Sequence, residues 1–453
     1  MSVPEGAGEV AVLGLGRSGT AVARLLLADG KRVYISDSGS SPAVSEAARQ
    51  LRDIGAAVET GGHDLRRIAH ASRVVLSPGI DPATAVVRAA RDAGVETVSE
   101  VEVALSYLTD TRVIAITGTN GKSTVTAMIG HLLRGLGEDA VAAGNIGTAI
   151  SDYARHDGSP HWIALEMSSF QLHDTPSITP EVGVLTNLSP DHLDRYASVD
   201  DYYADKALLF SNASAQSKWV VNGDDDRAVG MAATAAGTRF EFSLCREADA
   251  WLDGEGVLHV MGSPLMKRDE IGLLGDHNAA NALAAALAVS VADERFHQTG
   301  ARSAIAAALG SFRALSHRLE VVTEANGVEW INDSKATNVS SALVAIAGMR
   351  RPTVLLLGGK HKGEAYTPLI PAIRENIKTV IAYGEAAPLI EADLQGVVPL
   401  ERLGADFDEV MRRAGQIAES GDAVLMSPAC SSFDMFRNYE ERGERFRAIA
   451  MEQ

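Results

Sequence analysis

The sequence predicts an α/β protein laid out as three consecutive domains, each built on its own largely parallel sheet. Three observations predict this. The order apolar strand, glycine-rich or polar turn, helix opens at Val10, restarts at Arg112 and restarts again near Leu315; such alternation puts helices on the faces of a parallel sheet. The 453-residue length exceeds what one core supports, since single cores stop growing at about 250–300 residues. Alanine and glycine are abundant and aromatics make up only 5%, which suits helices packed closely on sheets.

The first block, 1–110, begins with an apolar strand at 10–13 that runs into Gly14-Leu15-Gly16-Arg17-Ser18-Gly19. A helix pattern follows at 21–28, then a strand at 32–35 ending at Asp37, and a further strand at 74–76 ending in Ser77-Pro78-Gly79. This is a Rossmann-like arrangement, and the G-x-G-x-x-G loop lets the backbone approach a diphosphate at a helix N-terminus. Alone, the loop fits NAD or another nucleotide diphosphate.

The second block, 111–314, restarts with an apolar strand at 113–116, which ends at Thr117 and opens Gly118-Thr119-Asn120-Gly121-Lys122-Ser123-Thr124. Backbone amides of such a loop cradle phosphate oxygens, Lys122 can neutralise the β- and γ-phosphates of ATP, and Ser123 or Thr124 can ligate Mg²⁺. The spacing is shortened: the glycine that usually stands six residues before the lysine is replaced by Ile116. Strands recur at 162–165, 182–186 and 219–221. The stretch 240–272 reads as a small β insertion, with a hairpin signal at Asp253-Gly254. The block is therefore P-loop ATPase-like: a parallel sheet plus that insertion.

The third block, 315–453, has strands at 328–331, 353–357, 380–383 and 423–426 separated by helical stretches, a second Rossmann-like unit.

Composition narrows the function classes. With 59 acidic and 41 basic side chains the formal net charge is −18, which disfavours nucleic-acid and anionic-membrane binding. Two cysteines, Cys245 and Cys430, cannot make a disulfide framework, and the amino-terminal residues lack a secretory pattern. The longest apolar stretch, about 279–292, is interrupted by Asn281 and Ser290 and is shorter than the roughly 20 residues a membrane span needs. The expectation is a cytoplasmic, monomeric enzyme.

Several other segments bear chemistry. Glu166 ends the strand at 162–165, where a carboxylate can bind Mg²⁺. His192 is flanked by Asp191 and Asp194, and Lys206 lies in a helical stretch. Asn278 and Asn281, three apart, share a helix face, and Asn278 is also placed to cap that helix. Asp333, Lys335 and Thr337 crowd a short loop after a strand, where sites in open α/β sheets form.

Taken together, these segments resemble the Mur ligases, ATP-dependent enzymes that add amino acids to the peptidoglycan precursor; the resemblance covers essentially the whole chain. It implies roles. Glu166, His192 and Lys206 would place two Mg²⁺ ions together with Ser123, Lys206 acting as a carbamate. Asn278 and Asn281 would contact adenine, Arg318 would reach ATP, Asp333 would hold the ribose, and Lys335 and Thr337 would face the reacting centre. Arg17, Ser18, Asp37 and Gly79 would hold UDP, and Asn145 the sugar-phosphate part. Gly39 stands where an arginine often occurs.

The segments 357–363 and 425–439 are most like those of members that use UDP-N-acetylmuramoyl-L-alanine and D-glutamate, with Lys362, Ser432 and Phe433 on the amino acid's carboxylates and Tyr439 where phenylalanine is usual. The Asp-Asn-Pro-Arg motif of diaminopimelate- or lysine-adding members is absent. Cys430 reads as a packing residue, not a nucleophile. A folylpolyglutamate synthase shares the ATP loop, but the first glycine loop argues against that reading. A non-catalytic nucleotide sensor is the alternative outside enzymes.

Overall fold

The computed structural model describes residues 8–154, 158–192 and 195–453. The amino-terminal segment, and Leu193 and Asp194 beside His192, lie outside the described residues.

Three sheets form, and their central strands bury apolar runs on both faces. The first contains β1 (Glu9–Leu13), β2 (Arg32–Asp37), β3 (Ala57–Thr60), β4 (Arg73–Leu76) and β5 (Thr97–Ser99). Its order is β3-β2-β1-β4-β5, and every pairing is parallel. The order reverses between β1 and β4, so the turns after these two strands part and leave a crevice.

The second sheet contains β6 (Arg112–Thr117), β7 (Ala140–Gly144), β8 (Trp162–Glu166), β9 (Val182–Leu185), β10 (Lys218–Asn222), β11 (Thr238–Ser243), β12 (Ala250–Leu252), β13 (Val257–Val260) and β14 (Ser263–Lys267), in the order β14-β13-β12-β11-β10-β9-β6-β8-β7. β6 is central, with β8 and β9 parallel on either side, so the ends of three strands converge on one edge. The stretch expected as an insertion continues this sheet: β11 pairs parallel with β10 and β12 parallel with β11, before antiparallel β13 and β14 complete the edge. The Asp253-Gly254 turn joins β12 to β13, and the Asp253 carboxylate accepts from the amides of Glu255 and Val257.

The third sheet contains β15 (Glu320–Ala325), β16 (Val328–Asn332), β17 (Thr353–Gly358), β18 (Ile377–Tyr383), β19 (Leu400–Arg402) and β20 (Ala423–Met426), in the order β15-β16-β20-β17-β18-β19. Only the β15–β16 pair is antiparallel. Its two-residue turn, Asn326-Gly327, has φ of +53° and +78°, the twist that joins two antiparallel strands tightly.

The chain forms two compact units. One comprises Met1–Lys267 with Asn281–Leu309 and carries the first two sheets; the other comprises Arg268–Ala280 with Gly310–Gln453 and carries the third. The helix His277–Ala292 is thus shared, with Asn278 in the second unit and Asn281 in the first. Among the described residues, no helix is long and apolar enough to cross a membrane.

Candidate active site

In the first unit, the crevice beyond β1 and β4 is a cavity of about 400 Å³, lined by Gly14, Gly16, Arg17, Ser18, Asp37, Ser77, Gly79 and Asn145 among others. Gly14 takes φ +96°, and a Cβ on Gly19 would sit 1.9 Å from the Gly14 carbonyl oxygen, so only glycine permits this turn. Asp37 braces the loop: its carboxylate accepts from Leu15 N (2.7 Å) and from Gly39 N (2.7 Å). Arg17 donates to Gly147 O at 2.9 Å, which ties the first loop to the turn after β7.

The loop after β6 is held from several sides. Gly118 has φ +142°, and a Cβ there would lie 2.1 Å from Thr186 Oγ1. Asn187 after β9 clasps Asn120, accepting from its amide and donating to its carbonyl, each at 2.9 Å. Thr119 donates to Ser189 O and accepts from Ser189 N. Gly121 then starts the helix Lys122–Gly135 in the left-handed region, with φ +83°. Lys122 folds back onto the carbonyls of Gly118 (2.9 Å) and Thr119 (2.7 Å).

Lys206 lies on the helix Val199–Ala207, 1% exposed, and donates to Gly118 O at 2.6 Å. Burial drives its pKa well below the ordinary lysine value, and the Lys122 charge pushes the same way against Asp191, Glu166 and Asp205. Its Nζ also stands 4.5 Å over the Tyr202 ring.

Glu166, at the end of β8, is 1% exposed and accepts from Asn145 Nδ2 at 2.9 Å through Oε1. Its Oε2 and the Thr124 hydroxyl are buried with no hydrogen-bond partner, an arrangement that costs free energy unless a ligand completes it. His192 takes φ +56°, its amide donates to Asp191 Oδ1, and its ring packs edge-on to Phe170 and Tyr202.

In the second unit, Asp333 follows β16 and is 5% exposed. It accepts from Ser427 Oγ (2.8 Å) and Leu319 N (3.2 Å). Burial raises its pKa to about 7 in spite of these donors and the Arg318 charge. Lys335 Nζ stands 5.6 Å from the centre of the Tyr439 ring. The wholly buried Arg442 gathers this region, donating to Ser334 Oγ and O and to the carbonyls of Cys430 and Ser431. Ser432 is buried, whereas Phe433 is 67% exposed.

Comparison with known proteins decides the family. The chain matches the Mur ligase MurD-like N-terminal domain over 8–99, the Mur ligase middle domain over 116–289 and the Mur ligase glutamate ligase domain over 317–430. It is 39% identical to the UDP-N-acetylmuramoylalanine--D-glutamate ligase of Salinibacter ruber, across 97% of this chain and 96% of that one, and 39% identical to the protein of the same name from Acidobacterium capsulatum, across 98% and 96%. The chain belongs to the Mur ligase family. A solved pseudomurein peptide ligase type C from Methanothermus fervidus has the same fold (TM-score 0.63, 19% identity, 98% of this chain and 99% of that one).

Within this Mur ligase, the first unit brings Gly118–Thr124, Glu166 and Lys206 together, with Asn145 joining the crevice of the first sheet to Glu166. Asn281 also belongs there: a Cβ on Gly121 would lie 2.5 Å from Asn281 Oδ1. Asn278 is the second residue of the helix His277–Ala292, and its Nδ2 donates to Leu274 O. Cys430 is buried, its thiol pushed up to about 11, as befits a packing residue. The sequence alone does not single out Thr186 and Asn187, which brace the glycine loop after β6, or Arg442. An Asn directly after an apolar strand is a signal for the former; an arginine inside a terminal helix carries none.

Proposed function

We propose that this Mur ligase joins D-glutamate to UDP-N-acetylmuramoyl-L-alanine at the expense of ATP, making the peptidoglycan precursor dipeptide. The observation that carries the reading is full-length identity of 39% to ligases of that name, with the ATP loop, Glu166 and buried Lys206 built into one edge of the central sheet.

The chemistry follows from the leaving-group problem. A carboxylate cannot expel oxide, so the γ-phosphoryl of ATP is transferred to it and an acyl phosphate forms. The D-glutamate amine attacks that carbonyl, and phosphate departs from the tetrahedral intermediate. Lys122 rests on two carbonyls, which it can exchange for phosphate oxygens and so offset their charge. Asn278, Asn281, Arg318 and Asp333 are assigned to the nucleotide, Lys335 and Thr337 to the reacting centre, and Lys362, Ser432, Phe433 and Tyr439 to the amino acid. Arg17, Ser18, Asp37, Gly79 and Asn145 line the crevice suited to the UDP moiety.

A Mg²⁺ site suits the residues present, because an oxygen-seeking cation would complete the partnerless Glu166 Oε2 and Thr124 hydroxyl, and two ions are proposed. Among the described residues no three His, Cys, Asp or Glu side chains converge as a metal cluster, so Glu166 needs a further oxygen donor. Lys206, whose burial favours the uncharged amine, would supply it: Nζ would add to CO₂ and lose a proton, which leaves a carbamate. Ser123, Glu166, His192 and that carbamate would hold the metal. When bound, Mg²⁺ supplies charge neutralisation at the phosphates.

We place the enzyme in the cytoplasm, where both nucleotides are made, as a monomer. The deciding measurement is phosphate release with all three substrates. It should vanish when D-glutamate or the UDP-sugar is left out, and release that ignores the amino acid would end the proposal.

A further inference from the structure

Beyond the assigned site, the second unit holds a buried polar chain that the mechanism does not use. Tyr366 is 1% exposed, yet its hydroxyl lies 3.0 Å from His361 Nδ1 and 3.0 Å from Cys430 Sγ. His361 stands next to Lys362, and Cys430 stands two residues before Ser432. The two loops these residues occupy are already laced by backbone: Lys360 N donates to Ser431 O at 2.8 Å and Ser431 N to Lys360 O at 3.2 Å. Gly359 permits the approach, because a Cβ there would lie 2.3 Å from Ser431 O. Tyr366 is itself fixed by its amide, which donates to Asp393 Oδ2 at 2.8 Å.

We infer that Tyr366 is a positioning residue for the acceptor amino acid: its hydroxyl joins a side chain of the Lys362 loop to a side chain of the Ser432 loop and so sets the spacing between them. The inference rests on the reading that those two loops bind D-glutamate. Cys430 is held as a neutral thiol and the Tyr366 pKa is raised far above its usual value, so both protons stay in place. The phenol has one donor and two acceptor lone pairs, so a single hydroxyl can serve both neighbours at once. A dicarboxylate acceptor is recognised by groups on two separate loops, so the spacing of the loops governs affinity for it and leaves ATP binding on the other elements untouched.

Tyr366→Phe removes one oxygen and keeps the ring. The KM for D-glutamate should rise roughly fivefold, the size expected for one hydrogen bond, while kcat and the KM values for ATP and the UDP-sugar stay within about twofold. His361→Gln and Cys430→Ala should each reproduce part of the rise, and either combined with Tyr366→Phe should be less than additive, because all act through one chain. An unchanged KM for D-glutamate in Tyr366→Phe overturns the inference, as does a parallel rise in all three KM values. Should Tyr366→Phe not fold, His361→Gln, at a partly exposed position, is measured in its place: a selective rise in the KM for D-glutamate supports the inference and an unchanged one overturns it. A wild-type enzyme that turns over without responding to D-glutamate overturns the functional reading and this inference together; a normal wild type with a silent Tyr366→Phe overturns this inference alone.

Discussion

Lys206 and Asp333 are both ionisable groups sealed inside protein, one in each compact unit, and burial moves them in opposite directions. The lysine is driven toward its neutral amine, and the acid is driven up to about 7. Their partners differ too. Lys206 has a carbonyl acceptor and a cation, Lys122, for a neighbour; Asp333 has a hydroxyl and an amide as donors and a guanidinium nearby. The first environment favours the uncharged amine, the form that the proposed reaction with CO₂ requires. The second holds its carboxyl between fixed donors and raises its pKa to about 7. The same desolvation therefore favours the neutral form of a base in one unit and of an acid in the other, and the carbamate proposed for Lys206 and the nucleotide contact proposed for Asp333 rest on those two environments.

The contrast is broken most strongly at Lys122, the cation beside Lys206. Lys122→Ala should cost about 10²-fold or more in kcat with an unchanged thermal unfolding midpoint, since it removes phosphate neutralisation from an already folded loop. Full activity in that variant would remove the ATP-loop assignment. Next comes Lys206→Ala, with a loss on the order of 10²-fold that short carboxylic acids partly restore, as measured by phosphate release. A wild-type rate in the unaided variant would exclude the carbamate.

Asp333→Asn tests the other side through pH. The folded pKa lies above the ordinary value of 3.8, so between about 4 and 7 the folded protein keeps a proton that the unfolded chain has lost. This group's contribution to stability is therefore complete below pH 4 and declines as pH rises through about 7. Asp333→Asn should flatten that part of the stability–pH curve for the second unit, followed by denaturant titration at several pH values; an unaltered slope contradicts the assignment. The smallest effect is expected at Asn326→Ala, which puts an alanine at φ +53° in the turn before β16 and should destabilise by about 1 kcal/mol. Since β16 leads directly into Asp333, a shift in the Asp333-dependent pH slope in this variant would sharpen the link between hairpin register and the acid's position.

Much of this is legible in the sequence because the glycine spacings are steric requirements. Gly14, Gly19, Gly118 and Gly121 each occupy a place a side chain cannot, and the apolar central strands β1, β4, β6, β8, β9, β10, β17, β18 and β20 announce themselves by composition. The edge strands β3, β5, β15 and β19 are short or polar and do not, although Asn326-Gly327 is a hairpin signal for one of them. The 240–272 stretch resembles an insertion because strand periodicity says nothing about which neighbour a strand pairs with; β11 joins the sheet parallel to β10, and β12 parallel to β11. Lys206 stands out by resemblance alone, because nothing in Ala-Asp-Lys-Ala says that its helix turns the amine inward. The Tyr366 chain is invisible for the same reason: its members are 5 and 64 residues from the tyrosine.

Arg442 has a consequence for anyone recombining such enzymes. Its guanidinium reads Ser334, Cys430 and Ser431 at once, and Ser334 in turn donates to Tyr439 O. Those contacts are heritable only as a set. A carboxy-terminal segment transplanted from a relative will fit this body if it brings, or finds, a hydroxyl at position 334 and the same carbonyl geometry at 430–431. A crossover anywhere between 335 and 430 separates the lock from part of its key, whereas one placed before 333 moves the whole assembly intact.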